Sequence, residues 1–159
     1  FELTVKAVAY NKLKLVIVGA PLLAKELELL QKELGQSNFI AVGRVSNEEL
    51  NHLYNGALAL LYPSEYEGFG IPVLEAQRAG CPVIAYNASS IPEVIGNTPL
   101  LLNMLSIEAI TKCFDILRRK EEREAIVYRG IENAKRFTWD RMYEQVIELY
   151  KEAWEASNQ

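Results

Sequence analysis

Cysteine is scarce in this chain. There are two, Cys81 and Cys113, and no C-x-x-C pair. That excludes a disulfide framework and a cysteine-built zinc site, and leaves two buried free thiols in a reducing, cytoplasmic setting as the expectation. Histidine occurs once, at His52, inside the polar stretch EELNHLYNGA, and reads as a solvent-facing residue rather than a catalytic one. No Asp-x-Asp and no cluster of histidines with carboxylates is present, so no metal site is expected. Long hydrophobic runs are missing too. The longest, Ala57 to Tyr62, falls far short of the ~20 residues a membrane-spanning helix needs, and no stretch reads as a secretory leader. Positive charge is not in excess: 17 Lys and Arg stand against 21 Asp and Glu, for a net charge of -4. A general nucleic-acid surface, which needs a basic face, is thereby disfavoured. A single phosphorylated ligand is not, because backbone amides and a helix terminus bind one without a basic surface.

What is present is an ordinary globular composition, 50% hydrophobic and 24% charged over 159 residues, enough for one domain with a core of its own. Short apolar runs alternate with helical spacing. Leu13 to Val18 reads as a strand buried on both faces. Pro21 to Leu34 carries Leu23, Leu27, Leu30 and Leu34 at helical spacing and ends at Gly35. Asn38 to Val42 is a second strand. Ser46 with Glu49 forms a capping box that opens a helix reaching about Asn55. Leu58 to Tyr62 is a third strand. A helix from Pro72 to Ala79 follows, with proline at its first position, then strands at Pro82 to Tyr86 and Leu100 to Leu102. From Ser106 the chain reads as helical to its end, with Ile107, Ile110, Phe114 and Leu117 on one face. Strand-helix alternation with short loops predicts an α/β fold, a doubly wound Rossmann-like parallel sheet ending in helices. In such sheets ligands bind at the carboxyl ends of the strands.

The segment EYEGFGIPVLEA, Glu65 to Ala76, stands where such a ligand loop belongs. Gly68 and Gly70 allow positive φ and close approach of the backbone to a ligand. Their amides, with the amino end of the following helix, can converge on an anion. Glu75, placed in the first helical turn, and Glu67, at the mouth of the loop, offer carboxylate acceptors for neutral hydroxyls. Amide donors for a phosphate beside carboxylates for sugar hydroxyls suit a nucleotide sugar. The same residues also fit a tight turn in which Glu75 merely complements the helix dipole, and Ser90 fits the role of cap to the short helix at Pro92.

Beyond the loop, LYPSEYEGFGIPVLEAQRAGCPVIAYNASSIPEVIG resembles the donor-site signature of glycosyltransferase family 4 (glycosyl transferases group 1), a retaining group with the GT-B fold. Glu67 and Glu75 stand at the family's Glu-x7-Glu spacing. KLKLVIVG, VGRVSNEELNHLYNGA and KRFTWDRMYEQVIELYKEAW resemble flanking segments in the expected order. The resemblance implies the carboxyl-terminal, donor-binding half of a GT-B enzyme over residues 1–159. It implies that Glu67 contacts the donor sugar near the reacting carbon and is the catalytic residue, and that Glu75 contacts the ribose. The Gly68-Phe69-Gly70-Ile71 backbone would bind the diphosphate, Arg44 and Val45 would lie against the base, and Leu74 near base and ribose. Neither metal nor cofactor is implied; the substrate would be a nucleoside diphosphate sugar such as a UDP- or GDP-sugar. The expected activity is metal-independent hexosyl transfer to a glycan or lipid-linked acceptor, as in polysaccharide biosynthesis. A non-catalytic nucleotide-sugar-binding module of the same fold is the alternative. A pyridoxal-dependent phosphorylase of related fold would need a Schiff-base lysine, and none lies between Lys32 and Lys112.

The resemblance also sets expectations at the ends. Phe1 to Tyr10 resembles the helix that follows the family's opening strand. That strand, central in the usual order, and its basic Arg…Lys pair would then be supplied by a preceding segment, by another chain, or by Phe1 to Val5 themselves; the first is the expectation. The amino-terminal acceptor domain would be a further partner, carrying any peripheral membrane association. Tyr143, Ile147, Tyr150 and Trp154 would either face it or pack within this domain, and Trp139 would pack in the core.

Overall fold

The computed structural model describes residues 1–157. Its elements alternate as expected: α1 (Glu2–Tyr10), β1 (Leu15–Val18), α2 (Ala24–Leu34), β2 (Phe39–Gly43), α3 (Asn47–Gly56), β3 (Leu60–Tyr62), α4 (Ile71–Arg78), β4 (Val83–Tyr86), α5 (Ile91–Ile95), β5 (Leu101–Leu102), α6 (Ile107–Leu117), α7 (Lys120–Ala134) and α8 (Trp139–Ser157). Local chemistry explains several boundaries. The Ser46 hydroxyl accepts from the Glu49 amide at 3.2 Å while Glu49 Oε2 accepts from the Ser46 amide at 2.7 Å, the reciprocal box that starts α3. α2 begins later than expected, because Glu26 reaches back to the Leu23 amide at 2.8 Å and makes Leu23, not Pro21, the entry residue. The Ser106 hydroxyl accepts from the Ala109 amide and starts α6.

All strand pairs are parallel, but the strands form two sheets, β1-β2 and β3-β4-β5. Among the described residues β1 pairs only with β2, and β3 only with β4. α1 bridges them on one side. Its Val5 and Val8 pack with Leu30 and Leu34 of α2, above Leu15, Ile17 and Phe39. Its Ala7 joins Ile84, Leu100, Leu102 and Ile110 on the other sheet. Phe1 to Val5 therefore belong to no strand; Glu2 onward is helix.

Three further expectations are corrected. β1 is not buried on both faces: Val16 and Val18 are 44% and 40% exposed, and Ile40 beside them 56%, because helices cover only the face carrying Leu15, Ile17 and Phe39. Trp139 is 77% exposed rather than in the core. The described residues of α8 are all exposed, Tyr143, Ile147, Tyr150 and Trp154 among them, so none of these four is a buried core residue of this domain. His52 is exposed, and both cysteines are buried free thiols, as read from the sequence.

Candidate functional site

β3 ends at Tyr62, and the chain then turns through Pro63 and Ser64 into the glycine loop. The loop is held from behind by a turn that the sequence did not announce. The Ser89 hydroxyl donates to the Glu67 carbonyl at 2.6 Å, and the Ser90 hydroxyl lies 3.0 Å from the carbonyls of both Glu67 and Phe69. Ser90 occupies the N-cap position of α5, but its hydroxyl makes no capping bond there and holds the loop instead. Ser89 sits at φ 53°, a left-handed conformation costly for a side-chain-bearing residue. Its hydrogen bond to the loop offsets that cost.

The clamp fixes the direction of the amides. Among the described residues there are no cis peptides, and in a trans peptide the carbonyl of one residue and the N–H of the next point opposite ways. With the Glu67 and Phe69 carbonyls turned toward the serines, the Gly68 and Gly70 N–H groups face the other way. Among the described residues neither has an acceptor. Gly70 has φ 99°, and a Cβ there would lie 2.8 Å from Ile91 Cδ1. Only glycine allows both that turn and the close seating of the loop on α5. Phe69 turns outward and meets the Phe137 ring edge-on at 5.7 Å. Arg136 lies over the Phe137 ring and Arg78 donates to the Phe137 carbonyl. The loop is thereby tied to the connection between α7 and α8.

α4 begins at Ile71, one residue earlier than expected, with Pro72 second. Glu75 is consequently the fifth helical residue, one turn in, and not in the first turn. It is exposed, whereas Glu67 is half-buried. Glu67 Oε1 accepts from the Tyr62 hydroxyl at 2.6 Å. Burial, and then the hydrogen bond to Glu67, push the Tyr62 phenol well above its ordinary range. Burial and the neighbouring Glu75 carboxylate push the Tyr54 phenol up to about 12. Of the other expected residues, Ile71 is exposed and Leu74 is buried in the core with Val73 and Ala76. Arg44 and Val45 follow the carboxyl end of β2, and no hydrogen bond or ion pair among the described residues joins them to the loop. Among the described residues no group of three or more His, Cys, Asp or Glu is placed to hold a metal ion, and no helix is long and apolar enough to cross a membrane.

The structure brings together Glu67, Gly68, Phe69, Gly70, Ile71 and Glu75. It adds Tyr54, Tyr62, Ser89 and Ser90, which sequence reasoning missed. Tyr62 lies five residues before Glu67 and carried a local signal; the serines and Tyr54 reach the site only through the fold. Chemically the arrangement offers two amides turned away from the serine clamp, the amino end of α4 and two carboxylates, a set for an anion flanked by hydroxyls.

Parallel sheets, covering helices and a clamped glycine loop at the carboxyl end of a strand define half of a GT-B architecture. The chain belongs to the glycosyl transferases group 1, whose family model matches residues 1–124. It is 40% identical over 111 residues to O-antigen chain mannosyltransferase B of Escherichia coli, covering 69% of this chain and 29% of that protein. It is 30% identical over 132 residues to the MMP alpha-(1->4)-mannosyltransferase of Mycolicibacterium hassiacum, covering 79% of this chain and 32% of that one. The chain thus spans under a third of the length of these relatives. In structure it is similar to sucrose-phosphate synthase of Thermosynechococcus elongatus, with a TM-score of 0.78 and 26% identity over 98% of this chain and 42% of that one. The Anabaena protein HepE in complex with UDP and glucose shares the fold, with a TM-score of 0.77 at 18% identity over 94% of this chain and 44% of that one.

Proposed function

We propose that this chain is the donor-binding half of a retaining glycosyltransferase that moves a sugar from a nucleoside diphosphate sugar to a glycan or lipid-linked acceptor. The observation that carries the reading is the pair of amides at exposed Gly68 and buried Gly70, turned away from the serine clamp, without an acceptor among the described residues and flanked by Glu67 and Glu75. Diphosphate oxygens accept from those amides and from the amino end of α4 without a bound metal, a preorganised electrostatic arrangement. Glu75 takes the ribose hydroxyls and Glu67 the sugar near the reacting carbon. Arg44 and Val45 lie toward the base, with Leu74 packed beneath the ribose. The named activities of the mannosyltransferase relatives support a hexosyl donor.

An acceptor-binding domain is the proposed partner, with any membrane contact on its side and the reaction in the cytoplasm. The apolar face of α8, where Tyr143, Tyr150 and Trp154 are more than 60% exposed, supports a contact there. The unpaired edges of β1 and β3 support a further strand between them, supplied by a preceding segment.

Calorimetric titration with UDP, GDP and ADP, beside a Glu75→Ala variant, tests the reading. One nucleotide binds, and the variant weakens it by about 1–3 kcal/mol, the range for a lost hydrogen bond to a charged group. Absence of binding by all three, also with the strand between β1 and β3 supplied, overturns it. A chain ending at Thr138, which keeps Phe137 against the loop and removes α8, should keep its nucleotide affinity; loss of binding there would sink the interdomain role of α8.

A further inference from the structure

Glu67 has a feature that the glycine loop does not explain. It meets a tyrosine, and it joins no ion pair among the described residues. Tyr62, the last residue of β3, donates to Glu67 Oε1 at 2.6 Å. Its ring packs against the core cluster that contains Val73, Leu74 and Ala76 of α4. A tyrosine has two side-chain torsions, so packing its ring fixes its hydroxyl at little entropic cost. A phenol differs from a lysine or arginine in one respect that matters here: it orients a carboxylate without neutralising it. An ionised carboxylate has about four lone-pair sites. One phenol occupies one of them, and the charge and the rest stay available to ligand hydroxyls. A phenol is protonated, hence a donor, through the neutral range.

We infer that Tyr62 is a positioning residue for ligand recognition, setting the Glu67 carboxylate toward the sugar. The inference rests on the donor-site reading above and deepens it: this tyrosine serves the sugar increment of binding and not the nucleotide increment. A purely architectural role for the ring would not separate the two.

The test compares affinities for UDP, UDP-glucose, GDP and GDP-mannose across Tyr62→Phe, Glu67→Gln and Glu75→Gln, with thermal melting followed in parallel. Phenylalanine keeps the ring in its packing and removes only the hydroxyl. Tyr62→Phe weakens the sugar-bearing ligand about 3- to 10-fold and leaves the bare nucleotide unchanged. Combining Tyr62→Phe with Glu67→Gln adds little to Glu67→Gln alone, because the phenol acts through that carboxylate. If the glutamine variants weaken binding and Tyr62→Phe does not, or if Tyr62→Phe weakens both ligands equally, the positioning inference falls and the donor site stands. If neither glutamine variant changes any affinity, the donor site falls and takes the inference with it. Should Tyr62→Phe fail to fold, Glu67→Gln reads the same division between sugar-bearing and bare ligands, and equal weakening of both overturns the assignment to the sugar end.

Discussion

The two sheets differ sharply in how they are enclosed. In β3-β4-β5 the central strand is buried from Val83 to Ala85, with Ile84 at 0% exposure, and cores lie on both faces. In β1-β2 one face is packed by α1 and α2, while Val16, Val18, Ile40 and Val42 lie open on the other. The candidate site belongs to the enclosed sheet. Its loop, serine clamp and Tyr62-Glu67 pair all rest on the core formed by β4, α4 and α5. A recognition loop needs a rigid base, since a displaced amide no longer meets its ligand. Of the proposed site residues, the open sheet carries Arg44 and Val45, just after the end of β2.

Truncation should expose this contrast most strongly. Ile84→Ala removes a fully buried side chain from the middle of β4, at an expected cost of about 2–5 kcal/mol. Val16→Ala, on the open face, should cost about 0.5 kcal/mol or less. Denaturant unfolding of both variants measures the difference, and near-equal losses would mean that the β1-β2 face is covered in solution.

A pair of glycines sharpens the comparison at smaller scale. Gly70 and Gly43 both have positive φ, 99° and 69°. Around Gly43 a new Cβ meets nothing within 4 Å; at Gly70 it meets Ile91 Cδ1 at 2.8 Å. Gly43→Ala should therefore cost only the backbone term, about 1–2 kcal/mol. Gly70→Ala should add an overpacking term of about 1–3 kcal/mol and displace the loop. Melting temperatures report the first effect. Nucleotide affinity, lost for Gly70→Ala and kept for Gly43→Ala, reports the second.

The smallest effect is a dependence on pH. Burial raises the Cys81 and Cys113 thiols from their ordinary 9.0 to about 11. Tyr54 rises from 10.0 to about 12 through burial and Glu75. In each case the folded state holds its proton where the unfolded chain has released it. The stability these groups contribute is thus complete below about pH 9 and declines as pH rises toward 12. The sign follows from neutral forms being favoured by burial. Unfolding at constant temperature across pH 8 to 11 checks it, and a flat profile would contradict the burial of the thiols.

Much of this architecture is legible in local sequence because its causes are local. The Ser46-Glu49 box closes over three residues and marks α3 directly. Ile110, Phe114 and Leu117 repeat at helical spacing and are buried as that spacing requires. The ordered motifs around Glu67 and Glu75 carry the family. The misreadings share one physical source, which is partners far away in the chain. Ser90 has the sequence of a cap, yet its acceptors are carbonyls 23 and 21 residues upstream. β1 has the composition of a doubly buried strand, yet burial depends on what lies over it. Trp139 has the chemistry of a core residue, and α8 carries it into the open.

What the sequence by itself determined is the alternation of elements, the family, and the loop with its two glutamates. Those follow from backbone conformation, side-chain periodicity and short-range hydrogen bonds. Only the tertiary structure decided which way the Gly68 and Gly70 amides face, how the Tyr62 hydroxyl holds the Glu67 carboxylate, and that the strands divide into two parallel sheets. Each of those depends on contacts between segments that meet only once the chain has packed, when every buried polar group must find its partner in space rather than in sequence.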